Sequence, residues 1–366
     1  MKVQRLLFIV TLSVGLFSCG STTNNNNGDW VTMSVFSGQN RIGAVAFSLN
    51  DTGYVGTGFD GINYYDDFWA YDPVGNTWTA VDTMPGPPRS LAVAFATSNY
   101  GYVGQGWNGM GLTIGGTLEY YLNDFYRFSS ATGWSTIPSP PIPQSSPGRK
   151  EATAFGIGAP YNIGGVLGGF DGQFVWKDYY EWNESEGIWD PNNNNTYPGP
   201  KRYGAVTFVY NNKAYVITGL GDNGIALTDF WRYNPAKSSN KWDDSLRRIS
   251  GVVDQSYDAG YRIIRTNAVA WVQNNANIPK AYVALGSYNG NLADCWEYDF
   301  TYDLWAQKNN FPGTARVGAV ALTLNGRGFL GLGGSSVAAG SGGQFFSDWT
   351  QFYPDLPLNP DDYYSQ

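Results

Sequence analysis

Read from Asp29 onward, the chain is a succession of short segments in which small and bulky apolar residues alternate, as in Ala44-Val45-Ala46-Phe47, Ala92-Val93-Ala94-Phe95 and Ala319-Val320-Ala321-Leu322. Each is followed within a few residues by a Gly-, Asn- or Asp-containing break. Period-two alternation over four to six residues, bounded by turn formers, predicts strands. The composition agrees: 47 Gly with 14 Trp, 26 Tyr and 20 Phe suit many short strands joined by tight turns and suit long helices poorly.

The segments belong to one unit that occurs six times. A unit opens on an arginine and a small-apolar strand, and its second strand ends in glycine. After a variable loop come Asp-aromatic-aromatic, a short turn and a tryptophan. The first copy reads Arg41-IGAVAF, GYVGTG, Asp67-Phe68-Trp69 and Trp78. The others open at Arg89, Arg149, Arg202, Arg265 and Arg316, and carry Asp124, Asp178, Asp229, Asp294 and Asp348 before their aromatic strands. The arginines lie 48, 60, 53, 63 and 51 residues apart. A unit of this size cannot bury its apolar faces alone, so stacked neighbours must build the core between them.

This arrangement resembles the kelch family over residues 30–353, with a spacing near that family's period of roughly 50 residues. The resemblance implies an all-β, six-bladed propeller. The sixth unit has no tryptophan strand after Asp348, whereas Trp30-Val-Thr-Met33 at the other end mirrors the strand at Trp78. The N-terminal strand is therefore expected to complete the last blade and close the ring, which removes open sheet edges.

The ends call for separate readings. Lys2 and Arg5 precede a short apolar run, Leu6 to Phe17, too short to span a bilayer and suited to a signal peptide. Leu16-Phe17-Ser18-Cys19 resembles a bacterial lipobox, so Cys19 is the expected lipidation site; ordinary cleavage near Ser18 is the alternative. The expected layout is a leader at 1–19, an Asn-rich tether at 20–29, the propeller at 30–353 and a tail at 354–366. A lipid anchor is the expected membrane link, with the domain held as a monomer at the bacterial cell envelope, facing the periplasm or the outside.

Charge and composition narrow the function. The formal net charge of −8 argues against nucleic acid, which needs a basic footprint. Histidine is absent. That removes Ser-His-Asp and Cys-His catalysis and His-based metal sites, and with them the copper chemistry of galactose oxidase, a kelch relative. Of the two cysteines, Cys295 stands where other units carry Phe68, Phe125 or Phe230 and is expected to be a small buried apolar residue. No catalytic residue, metal or cofactor is assigned.

Candidate binding residues fall on one face, where the loops after the second strand and those between blades emerge and where the units vary. Arg41, Arg89, Arg149, Arg202, Arg265 and Arg316 would ring one mouth of the channel, either as an anion site or as pairs with an Asp or carbonyl of the neighbouring blade. The repeated Asp before the aromatics is expected to cap a turn. Tips such as Phe170-Asp171-Gly172 are turn formers, and beside them Trp107, Phe170 and Tyr288 could serve as stacking platforms for sugars. The reading is of a non-catalytic binding or scaffold module for a glycan or an envelope protein. The alternative is an acidic-sugar (N-acetylneuraminate-type) mutarotase or epimerase, implied by resemblance to that kelch family and by the arginine ring.

Overall fold

The structure is a computed structural model that describes residues 26–114, 117–190, 196–246, 249, 261–275, 278–336 and 343–363. The proposed leader, Cys19 and most of the tether lie outside the described residues, as do parts of the loops after Trp189, Asp243 and Ser335. Six four-stranded antiparallel sheets follow one another around a central axis. Blade 1 comprises Val45–Leu49, Thr52–Gly56, Phe68–Asp72 and Thr77–Val81, from the axis outward. Blade 6 takes three strands from its own unit and the fourth from Asp29–Thr32, which pairs with Trp349–Tyr353 in the register Trp30 to Phe352. The fold is a six-bladed β-propeller closed by its N-terminal strand.

The alternation of the innermost strand explains its composition. In Val45–Leu49, Val45, Phe47 and Leu49 are buried between blades, while Ala46 and Ser48 face the channel. Residues at the channel positions have to be small because six strands converge there, and the space left along Ala46, Ala94, Ala154, Thr207, Ala270 and Ala321 is about 320 Å³. At Gly156 even a methyl group would collide with the backbone of Ala96. Bulk goes instead into the wedge between blades. Phe47 stacks on Tyr54 at 5.1 Å, a pairing repeated by Phe95 with Tyr102 and Phe208 with Tyr215. Cys295 is fully buried in the wedge formed with Trp30, Trp271 and Phe352, and burial pushes its thiol pKa well up.

One variable loop holds structure of its own. Between Gly106 and Asn123, Trp107–Ile114 and Thr117–Tyr121 pair as an extra hairpin on the loop face of blade 2.

Buried tyrosines set the response to alkali. Burial, and then the Asp124 carboxylate that accepts its hydroxyl at 2.7 Å, push the pKa of Tyr126 up to about 12, and Tyr71, Tyr102 and Tyr180 shift the same way. A tyrosine with a raised folded pKa stabilises fully below the unfolded value of 10.0 and loses that contribution as pH climbs from there toward the folded value. The protein should therefore weaken steeply above pH 10, by about 1.4 kcal/mol per pH unit for each tyrosine that ionises only on unfolding. Tyrosinate absorbance and far-ultraviolet dichroism followed together would show ionisation and unfolding as one transition. Tyrosines titrating smoothly within a folded protein would refute this.

Candidate functional site

All six repeat arginines are buried, and each pairs with the Asp of its own blade. Arg41 donates through Nε to Gln39 O at 2.9 Å and through Nη1 to Thr57 O at 2.9 Å, and its fork grips the Asp67 carboxylate, with Nη2 at 3.0 Å from Oδ2. Arg89 holds Asp124 at 2.6 and 2.7 Å, and Arg265 holds Asp294 at 2.8 Å through both nitrogens. Arg149 pairs with Asp178, Arg202 with Asp229 and Arg316 with Asp348. Each lock joins the start of the first strand, the end of the second and the start of the third.

Two sequence expectations are corrected here. The partner is the Asp of the same blade rather than of its neighbour, and that Asp is an ion-pair partner rather than a turn cap. In blades 1 to 5 it also accepts a hydrogen bond from the ring two residues on, as Asp67 does from Trp69 Nε1 at 2.9 Å and Asp294 from Trp296 Nε1 at 2.7 Å; in blade 6 Asp348 accepts from the Tyr363 hydroxyl instead. The anion-binding reading of the six arginines is corrected too. Guanidiniums that are fully buried and paired with carboxylates are out of reach of a ligand at the mouth, including the buried Nε groups of Arg149 and Arg202, which have no partner of their own.

The blades are joined at this face by two closed rings of backbone hydrogen bonds. In the inner ring Leu91 N donates to Gly43 O, Glu151 N to Leu91 O, Gly204 N to Glu151 O, Asn267 N to Gly204 O, Gly318 N to Asn267 O and Gly43 N to Gly318 O, at 2.8–3.1 Å. Every member has φ between 51° and 64°, the left-handed region that costs a residue with a Cβ about 1 kcal/mol or more, so three of the six are glycine. In the outer ring the glycine closing each second strand donates to the arginine carbonyl of the next blade, from Gly58 N to Arg89 O at 2.7 Å round to Gly333 N to Arg41 O at 2.9 Å.

The three exceptions to glycine, Leu91, Glu151 and Asn267, give the mouth its chemistry. The Glu151 side chain is only 6% exposed. It accepts from Asn267 Nδ2 at 2.8 Å, two blades away, and lies 3.8 Å from the ammonium of Lys150. Its charge adds to burial in raising the pKa of Tyr121 and Tyr203. Lys150 Nζ sits 5.1 Å from the centre of the Trp107 ring and 5.9 Å from that of Phe170. Phe170 in turn meets Tyr203 at 5.9 Å and the edge of Tyr121 at 6.4 Å. On the opposite side of the mouth, Ile42, Phe59, Tyr64 and Val317 form a small apolar cluster.

Of the three aromatic candidates, Trp107 and Phe170 therefore converge on Lys150. Tyr288 stands apart, 43% exposed, over a 950 Å³ cleft at the rim of blade 5 with Arg262, Asn289, Asn291, Gln307 and Asn310. Asp171 in the tip beside Phe170 serves as a turn acceptor. Burial alone would raise its pKa, but donation from the Phe174 and Gln173 amides and from Trp176 Nε1 lowers it. Lys150, Glu151 and Asn267 were missed in the sequence although a signal was there. Aligned on their arginines, the six units have Ile-Gly, Ser-Leu, Lys-Glu, Tyr-Gly, Thr-Asn and Val-Gly at the next two positions, and only the third copy is charged.

A Kelch motif model matches residues 58–85, the loop and outer two strands of blade 1. The protein is a six-bladed β-propeller that carries a Kelch motif. Among solved structures, one titled "Structure of YjhT" is similar to it, with a TM-score of 0.66 and 16% identity over 86% of this chain and 95% of that one. At that identity the likeness shows the fold alone. None of the curated proteins matches the chain. In this propeller, no group of three or more Cys, Asp or Glu side chains suited to a metal ion occurs among the described residues.

Proposed function

We propose that this propeller is a non-catalytic binding module, lipid-anchored at the cell envelope through Cys19, that takes up a glycan on its loop face. The observation that carries the reading is the convergence of Trp107, Phe170, Tyr121 and Tyr203 around the Lys150–Glu151 pair. Aromatic faces beside a fixed carboxylate, ammonium and amide suit a ring that is apolar on its faces and hydroxylated at its edge. The locks and backbone rings beneath hold these groups on a rigid base, with variation confined to the loops. The acidic-sugar mutarotase alternative drew on a family resemblance and on the arginine ring; the arginines are bound within the blades, which leaves it the resemblance alone.

A glycan array, followed by titration of the best ligand, tests this. Trp107→Ala with Phe170→Ala should cost at least tenfold in affinity, about 1.4 kcal/mol. An array without ligands, or an affinity indifferent to both substitutions, would count against it. A second reading, a protein partner, draws on Ile62, Phe174 and Ile225, each well exposed just after a tip Gly. In that case the array stays empty and the apolar tips carry the contact.

A further inference from the structure

We infer that the axial mouth is selective for uncharged sugars over their uronic acids, and that Glu151 sets this selectivity. The inference rests on the glycan reading above and names the ligand class for that same site. Glu151 is the only acidic residue in the inner backbone ring, fixed by the ring geometry and by Asn267 Nδ2 at 2.8 Å. The charged groups around it are few. Lys150 lies 3.8 Å away and balances it, the Asp171 carboxylate stands on the neighbouring tip, and Arg149 is neutralised by Asp178 below.

The mouth around Glu151 is thus left with a slight excess of negative charge. A sugar hydroxyl both donates and accepts, so a carboxylate and an ammonium side by side can satisfy it from both directions. A ligand carboxylate can only accept. It would compete with Glu151 for Lys150 and sit against an anion with little water to screen the two. The site therefore takes the hydroxymethyl form and disfavours the carboxylate form of the same ring.

Matched pairs provide the test: glucose with glucuronate and galactose with galacturonate, as monosaccharides and short oligomers, titrated calorimetrically into the full-length protein. The neutral member should bind at least tenfold more tightly. Glu151→Gln keeps the shape and the left-handed backbone position, and should narrow that ratio tenfold or more. Lys150→Met should move it the other way, widening it, so the two variants shift in opposite directions. Thermal midpoints near that of the parent protein would show that both variants are folded.

Uronates binding as tightly as the neutral sugars would overturn the inference while leaving the glycan reading in place. So would both variants shifting the ratio in the same direction. Failure of every sugar to bind would overturn both.

Discussion

Replacing Arg202 by alanine is expected to destabilise the propeller by about 3–5 kcal/mol, the usual cost of removing one partner from a buried ion pair. Arg202 is fully buried, it donates to Thr218 O at 3.2 Å, and its partner Asp229 has a side chain only 11% exposed. Without the guanidinium, the Asp229 carboxylate keeps the Trp231 indole as a donor but has no counter-charge. Three strand ends of blade 4 lose their common tie as well. Chemical denaturation of the variant should show the full loss, whereas the affinity for any loop-face ligand should barely change, because the ligand does not touch the guanidinium. Arg41→Ala should cost less, since Asp67 is 35% exposed and water can take over part of its solvation. A loss below about 1 kcal/mol for Arg202→Ala would mean that the locks are dispensable.

The closing strand should give an effect of similar size. Trp30 is fully buried, 4.3 Å from the Phe352 ring and 5.3 Å from Phe311, and its indole donates to Asn309 O at 3.3 Å. Trp30→Ala should cost about 3–5 kcal/mol, the range for deleting a buried aromatic. Removing residues 1–34 altogether would leave blade 6 with three strands and the Trp349–Tyr353 edge open to intermolecular pairing. That truncated protein should aggregate, and a synthetic peptide spanning residues 27–36 should restore a monomer on size-exclusion chromatography. A stable monomer without the peptide would show that the ring does not depend on this strand.

The repeat made the architecture legible, and its physical reasons are those the structure displays. Small residues face the channel, aromatics fill the wedges, and the missing sixth tryptophan strand is supplied by Trp30. The proposed binding face was harder to read for one reason. The residues that recur most visibly, the arginines and the Asp before each aromatic strand, recur because they hold the blades together. Function is more readily found where the copies disagree, and the two positions after each arginine are where they do. The inner backbone ring could not be read at all, because its hydrogen bonds join residues of successive units through main-chain atoms that carry no sequence signature. Only the glycines at 43, 204 and 318 hint at its left-handed turns.

The order of strands in blade 6 has a mechanical meaning. Tension applied from the N-terminal side would reach the described domain first at Asp29–Thr32, the strand that completes the circle. That strand is backed by the tail, with Gly28 N donating to Leu356 O at 2.7 Å and Asn359 N to the Asp29 carboxylate at 2.9 Å. Residues 354–363 thus work as a clamp on the point of load, and the Tyr363 ring, set against Phe311 at 5.7 Å, is its far fastening. Under pull, clamp and strand would yield together, and the circle would open at its seam before any other blade felt the force.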